Sequence, residues 1–205
     1  GCDLPYYTQQ LAMAKAGEVI TIQMEDLVPE VTLEELKKTY FADVLASYDS
    51  PHTANAARTK NLELACKAID GTILNPGDEF SFNKIVGERT KEKGYLAAIV
   101  YTDGGKIESQ EGGGICQVAS TIYTCTLLAD LEVTERAPHM YLVTYVEPGM
   151  DATIYWPSLD YKFKNSTDMP LRVDASVSGG YVHIKLVGTK QEHDYDHIKL
   201  RGVYA

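Results

Sequence analysis

The chain has 205 residues, 44% of them hydrophobic and 23% charged, which suits one main globular domain with an extension. Nineteen basic against 29 acidic residues leave a net charge of -10, which disfavours nucleic acid or an anionic membrane surface as the main partner. No apolar run reaches the roughly 18 residues that a membrane-spanning helix needs, and the first residues carry no basic-then-apolar targeting signal.

The opening GCDLPYY is abrupt, so a signal segment or, in our expectation, a membrane anchor lies upstream of residue 1. LPYYTQQLAMAKAG predicts a short helix closed by Gly17, and EVITIQM then alternates as a strand. In TLEEL, Thr32 has the place of a helix N-cap and Glu35 that of its capping-box partner. ADVLASYDSPHTANAA, small and polar around Pro51, reads as a linker, with a domain boundary near residue 50.

RTKNLELACKAI keeps Leu62, Ala65, Cys66 and Ile69 on one stripe of a helix that stops at Asp70-Gly71. The turn NPGD leads into EFSFN, a strand by the alternation of Phe80 and Phe82, and AAIVY is a strand leaving through TDGG. ICQVASTIYTCTLLADL is the longest helix candidate, apolar at Val118, Ile122, Cys125 and Leu128. The last third reads as the strands YLVTYV, ATIYW, YKFKN, LRVDASVS and YVHIKLVG, the last two joined by an SGG hairpin turn. The absence of alternating βαβ units predicts an α+β fold, in which the ICQVAST helix packs on a mainly antiparallel sheet built from this last third.

The chemistry concentrates at EGGGICQVAST, where Gly112, Gly113 and Gly114 precede Cys116 at the start of the long helix. A cysteine in the first turn meets the positive end of the macrodipole and unsatisfied N–H groups, both favouring thiolate. Glycines ahead of it let a substrate approach, and N–H groups near Gly114 and Cys116 converge on a carbonyl oxygen. The bland alternative is a glycine turn ahead of a buried core cysteine. Of the other cysteines, Cys66 and Cys125 fall in apolar helical patterns as buried small hydrophobes, and Cys2 is terminal.

A nucleophilic cysteine needs a base. Among His52, His139, His183, His193 and His197, His139 in ERAPHMY stands out, following the rigid Pro138 at a strand entry. Asp151 and Asp160, both after turns, are candidates to orient it, and Arg136 and Tyr145 to line the cleft. Zinc on Cys116, His139 and Asp151 lacks any ligand pair at short spacing, and no cofactor is implied.

The blocks RTKNLELACKAIDGTILNPGDEFSFNKIVGERTKEKGY, EGGGICQVASTIY, ERAPHM, VEPGMDATIYW, DYKFKNSTDMPLRV and SGG together resemble the VanW-like domain of Gram-positive cell-envelope proteins. The resemblance covers about residues 58–188 of a domain drawn as 51–188, leaving an extension of residues 1–50 and a tail of residues 189–205. PEVTLEEL is similar to the end of a peptidoglycan-binding domain. The resemblance implies an extracytoplasmic protein, in the wall or at the outer face of the membrane, linked to glycopeptide resistance. It further implies L,D-transpeptidation of peptidoglycan stem peptides through a cysteine thioester, giving 3-3 cross-links. Cys116 is then the nucleophile and His139 the base. Asp151 is a motif residue whose catalytic part is our inference, and Gly112, Gly113, Gly114, Gln117, Arg136 and Tyr145 are candidate substrate contacts. An L,D-carboxypeptidase and a non-catalytic wall-binding module remain alternatives.

Overall fold

The central sheet draws its strands from distant parts of the sequence. The computed structural model describes residues 2–24, 40–102, 106–191 and 198–202, and the chain divides into two units, Gly1–Leu36 and Lys37–Ala205.

In the first unit, Asp3 caps helix α1 (Leu4–Met13) by accepting the Tyr6 N–H at 3.0 Å. EVITIQM does not form the expected strand: residues 18–24 have no regular structure, and Val19, Ile22 and Met24 are exposed. Alternation holds a strand only where a neighbour pairs with it. The expected helix start at Thr32 and Glu35 lies outside the described residues.

The second unit is α+β, with antiparallel sheets throughout. The expected linker is instead strand β1 (Asp43–Pro51), paired antiparallel with the last strand, β9 (Tyr181–Gly188). The unit therefore starts before residue 50. Its larger sheet runs β1-β9-β8-β2, with β2 at Thr72–Leu74 and β8 at Leu171–Ser178, so only half of it comes from the last third. Leu171, Val173 and Ala175 on β8, with Val182, Ile184 and Leu186 on β9, form its buried face. Helix α2 (Ala56–Ile69), capped by Asn55, packs Leu62, Ala65, Cys66 and Ile69 into the core against β8. Glycines 179 and 180, both at positive φ, turn β8 into β9.

A second sheet, β3-β7-β6, is built from Glu79–Ser81, Lys162–Lys164 and Glu132–Glu135. Phe80 faces Phe163 across it with ring centroids 4.9 Å apart. The expected strand EFSFN ends at Ser81, two residues early, because Ser81 caps a short helix α3 (Phe82–Val86) through the Lys84 N–H.

Strands β4 (Ala97–Thr102) and β5 (Lys106–Glu111) form a ribbon that delivers the chain to the glycine run. Helix α4 (Cys116–Leu128) then packs on β1 and β9, its buried side carrying Val118, Ala119, Ile122 and Cys125.

Two expected strands are missing. YLVTYV has no strand, and ATIYW makes only the bridges Ala137 to Thr153 and Tyr155 to Leu159. Between Pro138 and Pro148 the backbone lies in bends, and the His139 N–H is given to the Asp151 carboxylate rather than to a ladder. Tethering to a side chain replaces pairing there.

Candidate active site

Each glycine ahead of Cys116 answers to its surroundings. Gly112 and Gly114 hold φ of +75° and +100°, where a side chain is strained. A Cβ on Gly113 would stand 2.4 Å from the Ala98 carbonyl oxygen on β4. From α2 the buried Asn61 donates to the carbonyls of Leu96 and Gly113 at 2.8 and 3.1 Å and accepts the Leu96 N–H. Amides of Gly112, Gly113, Ile115 and Gln117 donate to carbonyls of the turn and its ribbon. Those of Gly114 and Cys116 donate to no described residue. Two free donors thus bracket the thiol-bearing turn, the arrangement an oxyanion needs.

Cys116 is the first residue of α4, half-buried, and its thiol donates to the Ile154 carbonyl at 3.6 Å. Burial raises its pKa, but hydrogen bonding and charge from His139, with the Arg89 charge, outweigh this and hold it below the ordinary thiol value. Cys66 and Cys125 have no such histidine beside them, and burial pushes Cys66 up to about 12 and Cys125 higher still.

His139 sits beside the thiol with both ring nitrogens engaged. Nδ1 lies 2.7 Å from Asp151 Oδ2, and Nε2 is 3.4 Å from the Tyr145 hydroxyl. Burial disfavours the imidazolium, but Asp151 and Cys116 prevail and raise its pKa to about 9. Burial acts against the Asp151 carboxylate as well, yet His139 and Arg136 lower it to about 2. The site therefore favours proton transfer from the Cys116 thiol towards His139, with the Asp151 carboxylate behind the imidazole. The Tyr145 hydroxyl, raised by burial and by the Cys116 charge, stays protonated.

Arg136 is committed to the protein. It donates to the Asp151 carboxylate at 3.1 Å and to the carbonyls of Asp151 and Gly149, and it lies over the Tyr123 ring. This guanidinium positions Asp151. Gln117 is likewise no substrate contact: fully buried, it donates to Ser50 and Pro51 of β1 and accepts from Arg58 at 2.8 Å. Asp160 is structural, accepting from Ser81, Asn83 and Tyr161. His52 bonds the Thr53 carbonyl, and His183 pairs with Asp49 on the sheet surface. His193 and His197 lie outside the described residues.

The sequence reading missed three contributors. Ser120, one turn along α4, donates to the Cys116 carbonyl at 2.8 Å and accepts the Ala152 N–H at 2.9 Å, stitching the helix to the Asp151 segment. The spacing of Ser120 from Cys116 is the signal that was available. Arg58 and Arg89 pack against Gly114 and Gly112, brought there by the fold alone. A cavity of about 140 Å³, lined by His139, Tyr141, Val143, Pro148 and Asp151 among others, lies behind the histidine and does not include Cys116. Among the described residues no group of His, Cys, Asp and Glu is disposed to hold a metal ion.

The family model described as VanW like protein matches residues 57–187. The chain belongs to the VanW-like family. It is 39% identical over 135 residues, 66% of this chain and 44% of the relative, to the protein YoaR of Bacillus subtilis, described only as uncharacterized. It is 31% identical over 119 residues, 55% of this chain and 42% of the relative, to the vancomycin B-type resistance protein VanW of Enterococcus faecalis. The chain thus spans less than half the length of these curated relatives. No solved structure matches it significantly. The VanW-like match contains Cys116, His139 and Asp151 and begins after β1, and it does not extend to the peptidoglycan-binding domain expected ahead of it.

Proposed function

We propose that this VanW-like chain is a cysteine acyltransferase acting outside the cytoplasm on peptidoglycan stem peptides, as an L,D-transpeptidase. The observation carrying this reading is a thiol at a helix start, beside a histidine whose far nitrogen rests on a carboxylate, with two undonated amides on the adjoining turn.

The Cys116 thiolate attacks the carbonyl joining the diamino acid at the stem's third position to the terminal D-Ala. The oxyanion is received by the Gly114 and Cys116 N–H groups, each worth about 3 to 4 kcal/mol in comparable sites. His139 gives its Nε2 proton to the departing amine, the C–N bond breaks, and a thioester remains. An amine from a second stem then attacks the thioester, His139 takes its proton, and the thiolate leaves as the new amide forms. Throughout, Asp151 holds Nδ1–H and Arg136 holds Asp151.

Incubating the protein with purified tetrapeptide muropeptides, followed by mass analysis, is the test. Loss of D-Ala with a cross-linked dimer supports transpeptidation, and tripeptide alone moves the assignment to a carboxypeptidase. Absence of any acyl adduct on Cys116 returns the chain to a wall-binding module.

A further inference from the structure

Arg89 follows the short helix α3, and its Cβ and Cγ fill the space that a side chain on Gly112 would need, 2.8 and 3.0 Å from the ideal Cβ position. Its guanidinium lies over the Phe82 ring, 5.8 Å from the centroid. Both terminal nitrogens, Nη1 and Nη2, are buried and make no hydrogen bond. Arginine keeps its charge at any accessible pH, so four N–H donors are withdrawn from water with nothing in return.

Among the described residues no carboxylate supplies the missing partner. Asp160 feels the Arg89 charge but forms no ion pair with it, and its oxygens already accept from Ser81, Asn83 and Tyr161. The nearby Cys116 and Tyr95 are the other groups that feel it. A buried, desolvated cation with its donors open, next to the nucleophile's turn, suits an anion brought by the ligand. Its two terminal nitrogens are already out of water, so most of the dehydration left on binding is the ligand's own. Ligand entry must shift the side chains that cover the two nitrogens.

We propose that Arg89 receives the terminal carboxylate of the acyl donor, restricting Cys116 to peptides that end one residue beyond the scissile bond. This rests on the acyltransferase reading. In such a donor the carboxylate follows the scissile nitrogen by a single Cα, close enough to be held while the thiol reaches the carbonyl. The planar fork of a guanidinium fits a carboxylate with two parallel bonds.

The first test compares iodoacetate, which carries a carboxylate, with iodoacetamide, which does not, as alkylators of Cys116, each rate normalised to Cys2 of the same chain. Arg89→Gln is expected to lower the iodoacetate-to-iodoacetamide ratio by about tenfold or more, the size of a charge-assisted hydrogen bond. Arg89→Lys, which keeps the charge without the fork, should lower it less. An equal fall with both reagents would assign Arg89 to the thiolate alone and overturn the proposal. The second test uses the unaltered protein and so does not depend on a variant folding. A tetrapeptide with a free terminal carboxylate should protect Cys116 from iodoacetamide at concentrations at least about tenfold below its terminal amide. Equal protection, or none by either peptide, overturns the carboxylate site. Protection by the free acid without any acyl mass retains the site and removes the catalytic reading.

Discussion

At the residue scale, the site's chemistry is an exchange of one proton between two neighbours. His139, raised from 6.5 to about 9, stabilises the fold fully below pH 6.5 and loses that contribution as pH rises through about 9. Cys116, held below its ordinary 9.0, does the reverse, contributing fully above 9.0 and less as pH falls through its lowered value. Where both shifts act, the proton that Cys116 yields offsets the one that His139 keeps, so the two effects oppose each other. Cys116→Ser removes the thiolate and leaves the bond between His139 and Asp151. Stability of that variant should fall relative to wild type as pH climbs from about 6.5 towards 9, in denaturant titrations at several pH values. A constant gap across that range would show that no ion pair forms. Reactivity reports the same pair: the iodoacetamide labelling rate of Cys116 should fall less between pH 8 and pH 6 than that of Cys2, while Cys66, pushed up to about 12, stays inert. Asp151→Asn, by lowering the pKa of His139, should slow Cys116 at the acid end.

At the element scale, α4 is both the nucleophile's support and the wall against which the histidine segment rests. Ser120→Ala leaves the Ala152 N–H buried without its acceptor, at a cost of about 1 to 3 kcal/mol. Because that segment carries Asp151, the variant should also lose labelling at acid pH, and unchanged stability and reactivity would separate α4 from the site. Gly113→Ala meets the Ala98 carbonyl oxygen at 2.4 Å and should cost about 1 to 3 kcal/mol by overpacking, seen as a lower denaturant midpoint. The helices α2 and α4 and the hairpin of β8 and β9 were legible because their apolar spacing matches what the core buries. Cys116, His139 and Asp151 were legible as a set only through their motifs, since residues 116, 139 and 151 meet by folding and no local periodicity encodes that. Gln117 illustrates the limit: it is polar and next to the nucleophile, yet helical rotation carries its side chain into the core to hold β1. YLVTYV alternates like a strand, but the Asp151 carboxylate competes for its entry amide.

At the scale of the whole molecule, the second unit closes only when the segment before the family match is included. β1 pairs along the length of β9 from Asp43 with Gly188 to Pro51 with Tyr181, and its Ser50 hydroxyl bonds Thr121 at 2.7 Å and accepts from Gln117 at 2.9 Å on α4. Small and polar residues made this stretch read as a linker, because it is an edge strand with one solvated face and Pro51 at its end, where proline is tolerated. A chain starting at Lys37 keeps β1 and should unfold cooperatively near the temperature of the full chain. A chain starting at His52 lies closer to the family boundary at residue 57 but exposes the β9 edge and leaves Gln117 buried without its acceptors. Unpaired edges template aggregation, and stranded buried donors cost about 1 to 3 kcal/mol each. Calorimetry with size-exclusion analysis of the two truncations decides the matter. If the chain from His52 is monomeric, melts with the full chain and labels at Cys116 as fast, then β1 is an accessory to the VanW-like unit, and the tie from Gln117 to Ser50 has no part in holding the nucleophile's helix.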